Sequence, residues 1–136
     1  MFRRLDETIL VSGQIAPEDV AAAKAEGVRT IVNNRPDGEQ PGQPAGAEIE
    51  AAAQAAGLGY AYIPVDASGL GRGHVDAMAA ALEQGPVLAF CRSGTRSTNL
   101  WALTRALAGD DPDQIVAKAA NAGYDVSGLM RQVTGG

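Results

Sequence analysis

The sequence predicts one α/β domain, in which a mostly parallel sheet of four strands is flanked by helices. Between residues 8 and 97, short apolar segments rich in β-branched residues alternate with helical segments, and Gly or Pro separates most of them. After residue 97 the pattern is helical only. No repeat or linker interrupts the chain, so residues 1–136 are expected to form this single domain.

The elements follow one another in a regular order. The predicted strands combine β-branched or aromatic residues with a turn residue at one end, and they lie at residues 8–14, 28–34, 58–65 and 86–90. The helices between them end at or near a glycine, and they lie at residues 17–26, 46–56 and 74–84. Three more helices are predicted in the tail, at residues 98–108, 112–121 and 125–133.

Two loops and the end of the fourth strand are expected to form one site. Residues 35–44 contain three prolines and two glycines, and residues 66–73 contain three glycines, so neither segment suits a helix or a strand. Both loops follow strands. The carboxyl ends of parallel strands meet at one edge of the sheet, where the active sites of such sheets lie.

Composition limits the kinds of partner. The net charge of −5 argues against nucleic acid or a membrane surface as a partner. One Cys and one His are too few for a metal site, and no cofactor is expected. The N-terminal residues do not resemble a signal peptide, and a functional thiol suits a reducing compartment, so a cytoplasmic location is expected.

The segment Cys-Arg-Ser-Gly-Thr-Arg-Ser, residues 91–97, carries the predicted chemistry. It places the thiol of Cys91 between a strand and a helix, where backbone N–H groups bind anions and favour the thiolate, the nucleophilic form. Arg96 is predicted to point into the loop and Arg92 to lie nearer its rim. The predicted anion-binding residues are Arg92, Ser93, Gly94, Thr95 and Arg96.

Other polar residues follow the neighbouring strands. Asp66 leaves the third strand and is the first candidate for a general acid, and Asp37 is the second. Asn34 and Arg35 are expected to orient the cysteine loop or to bind the ligand. A purely structural role, such as a turn or a cap, is an open alternative for Asp66 and Asn34.

The cysteine segment resembles two families. It closely resembles the active-site loop of single-domain rhodaneses, and it resembles the phosphate loop of cysteine-dependent phosphatases, in which five residues separate the cysteine from the arginine. Here only four residues separate Cys91 from Arg96, and Phe90 stands where phosphatases usually have histidine.

A longer resemblance covers nearly the whole chain. Val-Asn-Asn-Arg-Pro-Asp-Gly-Glu at 32–39, Tyr-Ile-Pro-Val at 62–65 and Leu-Trp-Ala-Leu at 100–103 resemble the phosphatase-like domain of beta-lactamase hydrolase-like proteins. This resemblance implies a fold like that of dual-specificity phosphatases. Members are described as candidate phosphatases and as sulfur transferases, so both reactions are implied.

Sulfur transfer is the predicted reaction, because one missing residue shortens the loop by about 3.3–3.6 Å and favours a smaller occupant than a phosphoryl group. Cys91 would carry a persulfide from a thiosulfate-like donor to a thiol acceptor. The alternative is a phosphatase that forms a phosphocysteine on Cys91, with Asp66 as acid and Ser97 helping the thiolate leave. A third possibility is a non-catalytic module that binds anions or senses redox state.

Overall fold

Five strands and six helices make up residues 2–135, the part of the chain that the computed structural model describes. Residues 1 and 136 of the predicted domain lie outside this range. The strands are β1 (Arg3–Asp6), β2 (Ile9–Ser12), β3 (Thr30–Asn33), β4 (Gly59–Tyr62) and β5 (Val87–Phe90). The helices are α1 (Asp19–Ala25), α2 (Gly46–Ala55), α3 (Arg72–Leu82), α4 (Thr95–Leu107), α5 (Pro112–Asn121) and α6 (Ser127–Thr134).

The strands form a single sheet in the order β1-β2-β5-β3-β4. β5 lies at its centre and pairs in parallel with both β2 and β3, and β4 extends the parallel part beyond β3. Phe90 is level with Ser12 on one side and with Asn33 on the other. The carboxyl ends of four strands therefore meet at one edge, as predicted.

The sheet has one strand more than the four that the sequence predicts. β1 pairs antiparallel with β2 and forms an edge. Three of its four residues are charged, and only Leu5 is buried. A strand with one solvated face can be as polar as this, so its composition did not distinguish it from a loop.

Helices cover both faces of the sheet, which confirms the predicted class. Alternate residues of a strand point to opposite faces, and β5 contributes Val87 and Ala89 to one core and Leu88 and Phe90 to the other. The first core is completed by α3, α4, α5 and α6, and the second by α1 and α2. The tail after the cysteine segment is helical, as predicted.

Two helices begin earlier than the sequence predicts. α3 starts at Arg72, where the ring Nδ1 of His74 accepts the N–H of Gly71 at 3.0 Å and caps the helix. α4 starts at Thr95, so Arg96 and Ser97 belong to its first turn. None of the helices in residues 2–135 combines the length and the hydropathy that crossing a membrane requires.

Candidate active site

Cys91 lies at the centre of the carboxyl edge, directly after β5. The residue is 1% exposed, and its Sγ accepts the backbone N–H of Gly94 at 3.1 Å. Gly94 precedes the first residue of α4 and has a φ of +92°. The amino end of this helix therefore faces the sulfur, which is the arrangement that stabilises a thiolate or a bound anion.

Backbone hydrogen bonds join the end of β2 to the cysteine loop. The N–H of Cys91 donates to the carbonyl of Ser12 at 3.3 Å, and the N–H of Gln14 donates to the carbonyl of Arg92 at 3.3 Å. A Cβ on Gly13 would lie 3.0 Å from that same carbonyl oxygen, so the close approach of the two segments favours glycine.

Arg96 extends from the first turn of α4 to the loop after β3. Its Nη1 and Nη2 donate to the two carboxylate oxygens of Glu39 at 2.7 and 2.8 Å, and Nη1 also donates to the carbonyl of Val65 at 2.8 Å. These bonds to Glu39 raise the pKa of Arg96, and the nearby sulfur of Cys91 raises it further. Arg96 therefore lies beside Cys91, and its predicted orientation into the loop stays a prediction.

Arg92 lies in the same loop, and its side chain is exposed. Within residues 2–135 this side chain forms no hydrogen bond and no ion pair. Of the two arginines, only Arg96 is thus held in a fixed orientation.

Glu39 is a site residue that the sequence pattern did not reveal. Its carboxylate bridges Arg96 and Arg35, whose Nε donates to it at 2.9 Å. The two guanidinium groups, that of Arg96 first, lower the pKa of Glu39 to about 2, so the carboxylate is charged at neutral pH. Its place in the loop after β3 was the available signal, because that loop leaves the same edge of the sheet as Cys91.

Arg35 is buried behind Glu39. It is 3% exposed, and its Nη1 and Nη2 donate to the side-chain oxygens of Gln14 at 3.0 Å and Gln40 at 2.9 Å. Arg35 therefore hydrogen-bonds Glu39, and its predicted role in orienting the cysteine loop or binding the ligand stays a prediction.

Asn34 and Ser97 join the first turn of α4 to the sheet. Asn34 donates to the carbonyl of Ile63 at 2.9 Å, and its Oδ1 accepts the hydroxyl of fully buried Ser97 at 2.8 Å. The Ser97 hydroxyl is therefore directed to Asn34. Its assistance to the departure of the Cys91 thiolate stays a prediction, and the bond to Asn34 ties the first turn of α4 to the sheet.

The two candidate acids are both engaged elsewhere. Asp66 is exposed, and its carboxylate accepts the N–H and the hydroxyl of Ser68 at 2.9 and 2.6 Å, bonds that lower its pKa. Asp37 accepts the N–H of Gly46 at 2.8 Å at the start of α2. Neither of these carboxylates accepts a hydrogen bond from the cysteine loop, and the lowered pKa of Asp66 is the opposite of what a proton donor near neutral pH needs.

Tyr124, which follows α5, also contacts the loop and was not expected there. Its hydroxyl donates to the carbonyl of Ser93 at 3.0 Å, while the hydroxyl of Ser93 donates to that of Thr95 at 3.1 Å. Nothing in the sequence near Tyr124 points to this contact, because 31 residues separate it from Ser93.

Two cavities flank the cysteine loop, and Arg92 lines both. One, of about 330 Å³, is lined by Arg35, Glu39, Gln40, Arg92 and Arg96. The other, of about 700 Å³, is lined by Arg3, Ser12, Gly13, Gln14, Arg92, Ser93, Thr95, Gly123 and Tyr124. Within residues 2–135 no group of three or more His, Cys, Asp or Glu side chains is arranged to hold a metal ion.

The family model for the phosphatase-like domain of beta-lactamase hydrolase-like protein matches residues 1–108. The chain belongs to this family. The beta-lactamase hydrolase-like protein of Agrobacterium fabrum is 38% identical over 108 residues, which are 78% of this chain and 25% of that protein. Its namesake in Xylella fastidiosa is 36% identical over 133 residues, 96% of this chain and 30% of that protein. The chain thus spans less than a third of the length of these curated relatives.

Solved structures agree with this family assignment. A candidate phosphatase from Neisseria meningitidis is 33% identical and superposes with a TM-score of 0.83, covering 98% of this chain and 96% of that one. TpbA of P. aeruginosa, solved in complex with phosphotyrosine, is 21% identical with a TM-score of 0.62 and covers 99% and 91%, so it shows the fold alone.

The comparisons confirm the resemblance and the fold predicted from sequence. This phosphatase-like domain has the cysteine-phosphatase fold. The comparisons favour the phosphatase alternative, and they give no support to the sulfur transfer that the short loop favoured.

Proposed function

We propose that this phosphatase-like domain hydrolyses phosphate monoesters through a phosphocysteine on Cys91. The observation that carries the proposal is the pairing of Cys91 at the amino end of α4 with Arg96 in the first turn of the same helix, held by both oxygens of Glu39. The nucleophile thus lies in the loop that leads into α4, and the anion binder lies in the first turn of that helix.

The contacts of Arg96 leave a donor edge for phosphate. Glu39 takes the edge formed by Nη1 and Nη2, and a hydrogen bond with the Cys91 side chain also helps to raise the pKa of Arg96, whereas none of the bonds to Glu39 or Val65 uses Nε. The edge formed by Nε and Nη2 can therefore form two parallel hydrogen bonds to phosphoryl oxygens. Amides at the start of α4 supply further donors.

The reaction has two steps. The Cys91 thiolate donates an electron pair to phosphorus, a P–S bond forms, and the bond from phosphorus to the ester oxygen breaks, so that the leaving group departs with the bonding pair. Water then attacks phosphorus and loses a proton, the P–S bond breaks, and inorganic phosphate and the thiolate are released. Arg96 and the loop amides stabilise the charge on the phosphoryl oxygens in both steps.

Aryl phosphates are the substrates that suit this site. Since Asp66 is held on Ser68 in its ionised form, it is not set to protonate a strongly basic leaving group. An aryl oxide leaves more readily than an alkoxide and needs less help. The phosphotyrosine bound by the distant fold relative TpbA is an ester of this type.

The test is phosphate release from 4-nitrophenyl phosphate and phosphotyrosine by the purified chain, with Cys91→Ser as the matched control. We expect turnover by the native chain, none above background for the variant, and a phosphoryl adduct on Cys91 in rapidly quenched samples. After incubation with thiosulfate, the same mass measurement should detect no added sulfur. A sulfur adduct together with no phosphate release would overturn the proposal in favour of sulfur transfer.

A further inference from the structure

The larger cavity beside the cysteine loop, which we call the Arg3 cleft, has a marked charge imbalance. Its lining includes the cationic side chains of Arg3 and Arg92 and no Asp or Glu. The chain as a whole carries a net charge of −5, so a cleft with two cations and no carboxylate differs from the average surface. Such a cleft attracts anions.

Four arginines of the chain have carboxylate partners, and Arg3 and Arg92 are, with Arg4, Arg29 and Arg131, among those that have none within residues 2–135. Arg35 and Arg96 share Glu39, Arg72 pairs with Asp76, and Arg105 pairs with Asp110. Neither Arg3 nor Arg92 has a carboxylate partner that the structure reports among residues 2–135. Their charges are thus available to a ligand.

Arg3 is held in place without being neutralised. Its Nη1 donates to the carbonyl of Ala122 at 2.9 Å, and its guanidinium carbon lies 5.8 Å from the centre of the Tyr124 ring. These contacts use one edge and one face of the group and leave its other N–H donors free. A guanidinium held in this way loses little conformational entropy when it binds an anion.

The floor of the cleft holds a polar group with no partner. The hydroxyl of Ser12 is buried and makes no hydrogen bond within the described chain, and a buried polar group without a partner is unfavourable. Ser12 is also the residue whose carbonyl accepts the N–H of Cys91. The Ser12 hydroxyl, which has no hydrogen-bond partner in the described chain, therefore lies where the cleft adjoins the loop that carries Cys91.

The cleft adjoins the site of the reaction. Ser93 and Thr95 of the cysteine loop line it, and Arg92 lines both this cleft and the cavity that contains Arg96. Tyr124 hydrogen-bonds the loop at Ser93 and lies close enough to Cys91 that the charge on the sulfur contributes to raising the pKa of the phenol, after burial. The cleft and the cavity that contains Arg96 are therefore neighbours that share Arg92.

We propose that the Arg3 cleft binds a second phosphoryl group, so that the preferred substrates are bisphosphorylated compounds with two phosphates close together. The inference rests on the proposed function, because it assigns one phosphate to Cys91 and Arg96 and the other to Arg3 and Arg92. Charge-assisted hydrogen bonds from two arginines explain why a second dianion binds here in an otherwise acidic protein.

Binding to the Cys91→Ser chain tests this without turnover. Calorimetry compares phenyl phosphate with the bisphosphates of catechol, resorcinol and hydroquinone, which place the two phosphates at three separations. We expect at least one bisphosphate to bind about tenfold or more tightly than phenyl phosphate. If all three bind no more tightly than phenyl phosphate, the inference is wrong.

Arg3→Gln in the same background locates the second phosphate. It keeps a donor for the carbonyl of Ala122 but removes the charge, so it should abolish the bisphosphate advantage and leave phenyl phosphate affinity unchanged. Arg4→Gln is the matched control, because Arg4 is the next residue of β1, donates to the carbonyl of Asp6 and lies outside the cleft. It should retain the advantage.

Thermal unfolding shows whether each variant is folded. If Arg3→Gln does not fold, Arg3→Lys replaces it in the test; this variant keeps the charge and should retain part of the bisphosphate advantage. An advantage that survives Arg3→Gln, or that Arg3→Lys loses entirely, refutes the cleft. Turnover of 4-nitrophenyl phosphate by the native chain separates the two proposals. Turnover without an Arg3-dependent advantage refutes only the cleft, whereas the advantage without turnover of any phosphate ester refutes only the reaction.

Discussion

Both carboxylate oxygens of Glu39 accept hydrogen bonds from the guanidinium nitrogens of Arg96, at 2.7 and 2.8 Å, although the two residues lie 57 positions apart in the chain. Arg35, buried behind Glu39, donates to one of the same oxygens. The arginine that faces the nucleophile is therefore oriented before any substrate arrives. An arginine fixed in this way can stabilise a transition state without first being ordered.

Glu39→Gln should lower kcat for 4-nitrophenyl phosphate by about tenfold, since Arg96 loses its ion pair and one of its two acceptor oxygens. Glu48→Gln is the control, because Glu48 is exposed on α2 and lies outside both cavities at the loop. Steady-state kinetics of the two variants measure the difference. Equal rates in both would show that Glu39 does not position the arginine for catalysis.

The same ion pair should appear in the pH dependence of stability. The pKa of Glu39 falls from 4.5 to about 2 on folding, so its contribution is fully present above pH 4.5 and is lost as the pH falls towards 2. Urea unfolding across this range should show the native chain losing stability more steeply than Glu39→Gln. Parallel curves for the two proteins would contradict the lowered pKa.

Arg96→Ala should lower kcat/KM for 4-nitrophenyl phosphate by about 10²–10³-fold, which is the usual cost of removing one oriented donor from developing charge. Arg92→Ala should cost less than about tenfold, because the exposed Arg92 side chain is not held against the loop. Kinetics of the two variants, measured at the same salt concentration, provide the comparison. The reverse order would exchange the roles assigned to the two arginines.

Asp66→Asn should change turnover of 4-nitrophenyl phosphate by less than about threefold, because the carboxylate is already ionised and bound to Ser68. The pH–rate profile of the variant, compared with that of the native chain, is the measurement. A large loss together with a flattened acidic limb would instead show that Asp66 leaves Ser68 and donates the proton.

Gly94→Ala should destabilise the fold more than Gly109→Ala does. Both glycines have positive φ, +92° and +103°, so each substitution incurs a backbone cost of about 1–2 kcal/mol. A Cβ at Gly109 meets nothing within 4 Å, whereas one at Gly94 runs into the hydroxyl of Tyr124. Thermal unfolding of the two variants should therefore differ, and Tyr124→Phe in the Gly94→Ala background should recover part of the difference. Equal destabilisation by the two alanines would mean that Tyr124 does not press on the loop.

The sequence by itself determined the elements whose signals are local. Hydrophobic periodicity and turn residues within short stretches of sequence predict the alternation of strands and helices and the helical tail. They also predict that the carboxyl ends of the parallel strands meet at Cys91. The cysteine loop could be recognised because its nucleophile, arginine and glycine are contiguous. The sequence did not predict strand β1, because an edge strand needs only one buried face, and Leu5 alone provides that face.

Only the tertiary structure decided which distant side chains meet at that loop. Glu39 and Tyr124 reach it, and Arg3 reaches the cleft beside it, because the order of the strands and the docking of the tail bring their elements together. No local sequence pattern predicts that packing. Asp66 shows the converse. Its place after the third predicted strand suggests a general acid. In the folded chain, however, the Asp66 carboxylate accepts hydrogen bonds from Ser68, two residues away, and these bonds favour its ionised form. A sequence position limits which contacts are reachable, and the free energies of the competing contacts in the folded chain select among them.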